Sequence, residues 1–277
     1  MKAYPITVLC RVMEVSRSGF YQYLHGSDDT HDAMVLAARI KAIFHVSRAS
    51  YGSRRIVAQL RAEGYRIDRY KVRRLMRQLG LTAKVRRRYR VTTERRHCFP
   101  VAANLLSRRF TATAPNSVWT ADISYVWTLQ GWLYLAVVMD LYSRQIVGWA
   151  TDKHLTRHLS LDALGMAYWR RRPLPGLLHH SDRGWQYACH EYQGRLSHYG
   201  MSVSMSRKGD CWDNAPTERF FGSLKTERLH GMRFSSRASA RAEIIDYLTY
   251  YNSLRLHSTL GYVSPLDYEK KHARIAA

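Results

Sequence analysis

The sequence predicts an α/β core, a mixed five-stranded sheet with flanking helices, preceded by an all-α region. Three observations predict it. Apolar residues recur at helical spacing through the first 80 positions. From Val118 the pattern changes to β-prone runs, and the element order becomes β-β-β-α-β-α-β-α. That order builds a sheet covered by helices. The size agrees: 277 residues is about two domains. An apolar fraction of 46%, with 19 Tyr, 7 Trp and 7 Phe, supplies a full core and excludes wholesale disorder.

The helices come first. Val8 to Val15 reads as one short helix, and Ser16 caps a second running through Phe20, Tyr21 and Leu24. Two short helices joined by a tight turn have the form of a helix-turn-helix. Leu36, Ile40, Ile43 and Phe44 make one apolar helical face. After a turn at Ser50-Tyr51-Gly52, Ser53 caps a helix with Ile56, Val57 and Leu60 inward and Gly64 as its stop. Asp68 caps a third helix with Val72, Leu75, Met76 and Leu79 inward, ended by Gly80. Its other side carries Arg69, Lys71, Arg73, Arg74 and Arg77. A basic outer face on the last helix of a three-helix unit suits the major groove of DNA. A solvated amphipathic helix would show the same pattern.

The charge points the same way. There are 44 Lys and Arg against 21 Asp and Glu, a net charge of +23. Residues 1–110 hold 24 basic and 7 acidic residues, so most of the excess lies there. Such an excess suits a polyanionic partner, nucleic acid first, and argues against an enzyme of small acidic metabolites. The densest stretch, Lys84 to Arg90, includes Arg86, Arg87 and Arg88 and lies between the helical and strand-rich regions. It reads as a basic linker that contacts phosphate. The expected boundaries are 1–83 for the helix-turn-helix region, 84–112 for the linker, 113–235 for the core and 236–277 for a helical extension.

No apolar run approaches 18 residues, so no membrane span is expected, and Arg11 breaks the apolar patch near the start. Cys10, Cys98, Cys189 and Cys211 contain no CxxC pair. That reads as a reduced, cytoplasmic protein without disulfides or structural zinc.

In the core, Val118 to Trp127 alternates as a strand. Trp132 to Met139 is nearly all apolar, as for a strand covered on both faces. Gln145 to Ala150, Leu177 to Ser181 and Met201 to Met205 complete the strands. Ser160 to Arg170 and Tyr192 to Tyr199 read as helices. Asn214 caps a further helix, with Pro216 in its first turn, running to about Leu229. Arg237 to Tyr262 is helical, then irregular, with Ile244, Ile245, Leu248 and Tyr251 as a packing face.

Three acids stand out. Asp122 lies inside the first strand, where a charge is expensive unless paired or metal-bound. Asp182 ends the fourth strand, and Glu218 follows after 35 intervening residues, in the first turns of the late helix. The motifs around them are Trp119-Thr-Ala-Asp-Ile-Ser-Tyr125, Met139-Asp-Leu-Tyr-Ser-Arg144 and His180-Ser-Asp-Arg-Gly184. Further motifs are Asp213-Asn-Ala-Pro-Thr-Glu218, Phe220-Phe-Gly-Ser-Leu-Lys225 and His257-Ser-Thr-Leu-Gly-Tyr262. Taken together these resemble the DDE transposases of bacterial insertion sequences, in particular their second-frame (OrfB-type) product, whose core is similar to that of retroviral integrases. The resemblance spans nearly the whole chain and implies a ribonuclease H-like core.

It also implies a chemistry. Asp122, Asp182 and Glu218 would be the catalytic and metal-ligating acids of metal-dependent DNA cleavage and strand transfer. Three carboxylates suit two Mg²⁺ ions about 3.5–4 Å apart, for which Mn²⁺ can substitute. Lys225, seven residues after Glu218 and two turns along the same face, would contact DNA. Implied partners are double-stranded DNA (element ends and target), the upstream-frame transposase protein or a fusion with it, and further copies of the chain on DNA. Asp140, Asp210 and Asp213 read as turn or loop-capping residues. His180 and Arg183 have either a structural or a phosphate-contacting part. The alternative for the whole chain is a non-catalytic DNA-binding regulator that keeps the fold. A tyrosine recombinase is disfavoured because Gly200 to Leu229 contains no Tyr.

Overall fold

The computed structural model describes residues 4–85, 98–208 and 211–276. The chain forms two compact units, Met1–Ala83 and Lys84–Ala277. Arg86, Arg87 and Arg88 lie outside the described residues.

The first unit is helical: α1 (Ile6–Val12), α2 (Arg17–Val46), α3 (Ser53–Ala62) and α4 (Arg69–Gln78). Ser16 caps α2 as expected, its Oγ accepting from Gly19 N at 3.0 Å. The second helix is not short, however. It continues as one 30-residue helix, because the breaker in its path, Gly26, costs about 1 kcal/mol against a continuing hydrogen-bond ladder. The N-cap of α3 is Gly52, not Ser53, which is already helical and whose Oγ accepts from Arg69 Nε. Asp68 caps α4 through Lys71 N at 2.7 Å. The buried face joins Leu36, Ile40, Ile43 and Phe44 to Ile56, Leu60, Val72 and Met76. A bidentate Arg39–Glu63 pair, 2.6 Å on each arm, ties α2 to the end of α3.

The second unit is a five-stranded sheet in the order β3-β2-β1-β4-β5. The strands are β1 (Val118–Thr128), β2 (Gly131–Asp140), β3 (Ile146–Asp152), β4 (Leu178–Ser181) and β5 (Ser202–Met205). The first three are antiparallel; β4 runs parallel to β1, and β5 parallel to β4. One face carries α5 (Arg157–Arg171), α6 (Trp185–Ala188) and α7 (His190–His198). Trp119, Ala121, Ala136 and Val138 meet Leu164, Ala167 and Tyr192 there. Gly148 allows α5 to lie directly on β3: a Cβ at that position would stand 2.2 Å from the Ala163 carbonyl oxygen.

The later helices are α8 (Ala215–Leu224), α9 (Arg237–Ser253) and α10 (Pro265–Ala276). Here the expected continuous helix to Leu229 is corrected. The α-helical ladder stops at Leu224, and Lys225–Leu229 forms a π-helical turn. That wider turn brings Glu227 and Arg228 inward together. Glu227 meets Arg255 in a buried ion pair at 2.7 Å, with Tyr247 Oη donating to Glu227 Oε2. The short α6 and the terminal α10 stand outside the expected elements. α10 is tied down by Glu269, which receives both arms of the Arg171 guanidinium. Residues ahead of β1 also pack on this unit: Leu106 is buried, and the Leu105 and Leu106 amides donate to Ser204 Oγ.

Candidate active site

Strand register places the first two acids. In the parallel β1–β4 ladder Ala121 faces Ser181. The next step sets Asp122 beside Asp182, on strands spaced about 4.8 Å apart. Side chains alternate along a strand, so Asp122 shares the face of Thr120. Thr120 Oγ1 bonds Thr217 Oγ1 at 2.7 Å, both fully buried. Thr217 immediately precedes Glu218, so this bond pins the start of α8 to the face that carries Asp122. A second pin is Asn214, whose Nδ2 donates to the Ala121 carbonyl at 3.1 Å. Asn214 stands at the N-cap position but caps nothing with its side chain; the expected cap is instead a bracket between α8 and β1.

All three acids are part-buried. Asp182 Oδ1 accepts from Gly184 N at 2.7 Å, and Asp122 Oδ1 accepts from Ile123 N at 2.8 Å. The donors are carboxylate oxygens on separate elements, a set that suits a hard divalent ion. Among the described residues no three His, Cys, Asp or Glu side chains form a closed metal cluster. Topology sets Asp122 beside Asp182 and pins the start of α8 to the Asp122 face, and the three acids are not preassembled into such a cluster.

Lys225 stands beside them. Its Nζ lies 5.3 Å from the Tyr125 ring centre. Burial pushes its ammonium below the ordinary lysine value, while Tyr125 and Asp122 act to raise it. It begins the π turn rather than continuing α8.

The loop entering α8 is held by charge. Asp213 is fully buried and accepts from Arg207 N at 2.9 Å, Arg207 Nη2 at 2.9 Å and Arg108 Nε at 3.0 Å. The Arg207 guanidinium, first among these, holds the Asp213 carboxyl well below the usual carboxylate range. Asp213 is therefore a loop organiser, as expected, but one that works through ion pairs the sequence did not reveal. Asp140 accepts from Asn116 N and Tyr142 N, a turn role; burial raises its carboxyl. His180 is buried between Ser204 and Ser206 hydroxyls, and burial pushes it down to about 4. Arg183 Nε donates to the Ser206 carbonyl at 2.6 Å, anchoring the chain that leaves β5. In the other unit Arg69, Lys71, Arg73, Arg74 and Arg77 are all exposed on α4. Sequence reasoning missed Arg144, which lines a cavity along α8 together with Glu218 and Arg219, the last a weaker DNA-contact candidate from the sequence; the only signal of Arg144 was cationic charge within a motif read for other reasons.

Comparison with known proteins gives a consistent picture. The Integrase core domain profile matches residues 112–211, a second Integrase core domain profile matches 199–265, and an HTH-like domain profile matches 31–89. The uncharacterized 31 kDa protein of insertion element IS600 from Shigella sonnei is 43% identical over 97% of this chain and 100% of its own length. The transposase InsF for insertion sequence IS3A from Escherichia coli (strain K12) is 41% identical over 97% of this chain and 95% of its own. Among solved structures, the HTLV-2 integrase catalytic core domain in complex with magnesium (trimeric form) is 18% identical. It covers 57% of this chain and 98% of that one, with a TM-score of 0.45.

Proposed function

The chain belongs to the insertion-sequence transposases with an integrase core, and from that premise we propose how its residues divide the work. The enzyme is a DDE polynucleotidyl transferase that cleaves and joins DNA strands at insertion-sequence ends. In this reading Asp122, Asp182 and Glu218 hold divalent metal, two Mg²⁺ ions with Mn²⁺ as a substitute. When bound, the metal supplies charge stabilisation for an in-line displacement at phosphorus, by water in cleavage and by a 3′-hydroxyl in strand transfer. Lys225 holds a phosphate of the reacting strand with its ammonium, and the Tyr125 ring steadies that ammonium.

The observation that carries the reading is the shared face. The β1–β4 register sets Asp122 beside Asp182, and the Thr120–Thr217 bond brings the turn bearing Glu218 to the same face. Gathering three carboxylates on one face costs repulsion between like charges, and a divalent cation offsets that cost.

Binding of DNA falls to the cations. Arg69, Lys71, Arg73, Arg74 and Arg77 of α4 enter the major groove, and Arg86, Arg87 and Arg88 contact the backbone. The exposed basic face of α4 and the match of 31–89 to an HTH-like domain support this. Assembly of more than one copy on paired element ends, action with an upstream-frame protein and a cytoplasmic location complete the proposal.

The test is a strand-cleavage and joining assay with purified chain, with and without the upstream-frame partner. It uses DNA carrying the element end, with Mg²⁺ or Mn²⁺. Metal-dependent nicks bearing 3′-hydroxyls, and joined products, are expected. DNA binding without any metal-dependent chemistry, partner included, would make the chain a regulator.

A further inference from the structure

A cavity of about 450 Å³ runs along α8, and Glu218 is one of its lining residues. That is within the range of small-ligand sites, about 300–1,000 Å³, and far too small for a duplex. Its walls combine polar side chains with aromatic rings: the cations Arg144 and Arg219 and the imidazole of His257 with Phe110, Trp212 and Tyr251. Metal binding by the acids and groove binding by α4 do not use these six residues.

The cations are what call for a ligand. Arg144 sits in the turn between β2 and β3 with a left-handed backbone, φ 62°, a conformation that is costly for a non-glycine residue and tends to mark functional sites. Its Nη2 donates to the Phe110 carbonyl at 2.8 Å. Among the described residues neither Arg144 nor Arg219 forms an ion pair. Burial pushes the Arg144 guanidinium below its ordinary value; Tyr251 and Asp140 act to raise it, and the charge of Arg219 acts to lower it. A phosphate placed between the two guanidinium groups would offset their mutual repulsion. The third polar wall is already oriented: His257 bonds Tyr251 Oη through Nε2 at 3.1 Å and Thr259 Oγ1 through Nδ1 at 2.9 Å.

We propose that this cavity binds one unpaired nucleotide of the DNA strand, next to the phosphodiester presented to the acids. Arg144 and Arg219 take its phosphate, and the exposed Trp212 takes its base. Base–aromatic stacking is sequence-tolerant because every base has a π-face, and guanidinium groups match phosphate geometry. The site deepens the DNA-processing reading and rests on it for the identity of the polymer, not for the chemistry.

The test separates the two. Binding is measured on the full chain carrying Asp122→Asn, in EDTA, so neither metal nor cleavage enters. The probes are a short labelled single strand, a duplex of the same sequence and deoxyadenosine monophosphate. Trp212→Ala removes no charge and alters an exposed side chain. It is expected to weaken single-strand binding about fivefold or more, the scale of one stacked base, with duplex binding unchanged. Arg219→Ala is expected to weaken single-strand binding more than duplex binding. The inference is overturned if both variants bind the single strand as the parent does, or if single strand and duplex weaken equally, which is general electrostatics. It is also overturned if the mononucleotide binds as tightly as the strand.

Discussion

Asp122 occupies a position where a carboxylate is expensive, in a strand whose residues Ala121 and Ser124 are buried. Its Oδ1 accepts from the amide that directly follows it, and it interacts with the charge of Lys225. The proposed metal role accounts for a carboxylate at this position. Asp122→Asn and Glu218→Gln keep shape and remove charge, so both should fold and lose cleavage and joining by roughly 10²–10³-fold or more; far-UV circular dichroism beside the strand assay checks this. A second residue-scale prediction concerns pH. His179 and His180 are pushed by burial to about 3 and about 4, below their unfolded value near 6.5. The folded state stays neutral while the unfolded chain takes up protons, so their contribution is full above about pH 6.5 and is lost as pH falls toward 4. Asp140, raised by burial, works in the opposite sense. His180→Gln isolates the imidazole. Its urea midpoint should depend less steeply on pH than the parent's between neutrality and about pH 5, and an unchanged slope would remove His180 from the acid response. At this scale the sequence exposed Asp122, because an acid in an apolar strand is a local anomaly, whereas Asp182 and Glu218 were singled out by their spacing and by the family resemblance. It could not expose Thr120–Thr217 or Asn214–Ala121, which join residues 97 and 93 positions apart.

The elements were legible where their signal is local. The strands fall within a few residues of the expected spans, since alternation and apolar runs need no partner to be seen. The Asp68 and Ser16 caps were legible for the same reason. Asp68→Ala should cost about 1 kcal/mol, measurable as a lower denaturation midpoint. What escaped was the π turn at Lys225–Leu229. Helical spacing continues through it, and the distant Arg255 and Tyr247 explain why Glu227 turns inward. Arg255→Ala would leave Glu227 charged, buried and without its guanidinium. A loss of about 3–5 kcal/mol is expected, and a loss below about 1 kcal/mol would mean that the pair does not hold the turn in place. The terminal α10 escaped because its anchor, Glu269 on Arg171, spans 98 residues.

Across the molecule, the exposed basic face of α4 lies in the first unit, while the acids proposed to act lie in the second. Removing α4 cations should therefore weaken DNA binding without touching the acids. Arg73→Ala with Arg77→Ala should reduce the salt dependence of duplex binding by up to about 0.9 in log–log slope for each phosphate no longer neutralised, as read by anisotropy titrations. The slope would be unaffected if α4 faced only solvent. In the proposed mechanism strand transfer depends on three carboxylates holding a metal, and the most direct test is a metal-specificity switch at Asp182 in the strand-joining assay. Asp182→Cys replaces a hard oxygen donor with sulfur, which Mg²⁺ tolerates poorly and Mn²⁺ better. The expected result is a folded variant that is inactive with Mg²⁺ and regains joining with Mn²⁺. Full activity with Mg²⁺, or a folded variant that Mn²⁺ leaves inactive while the parent works in both, would contradict metal ligation by Asp182.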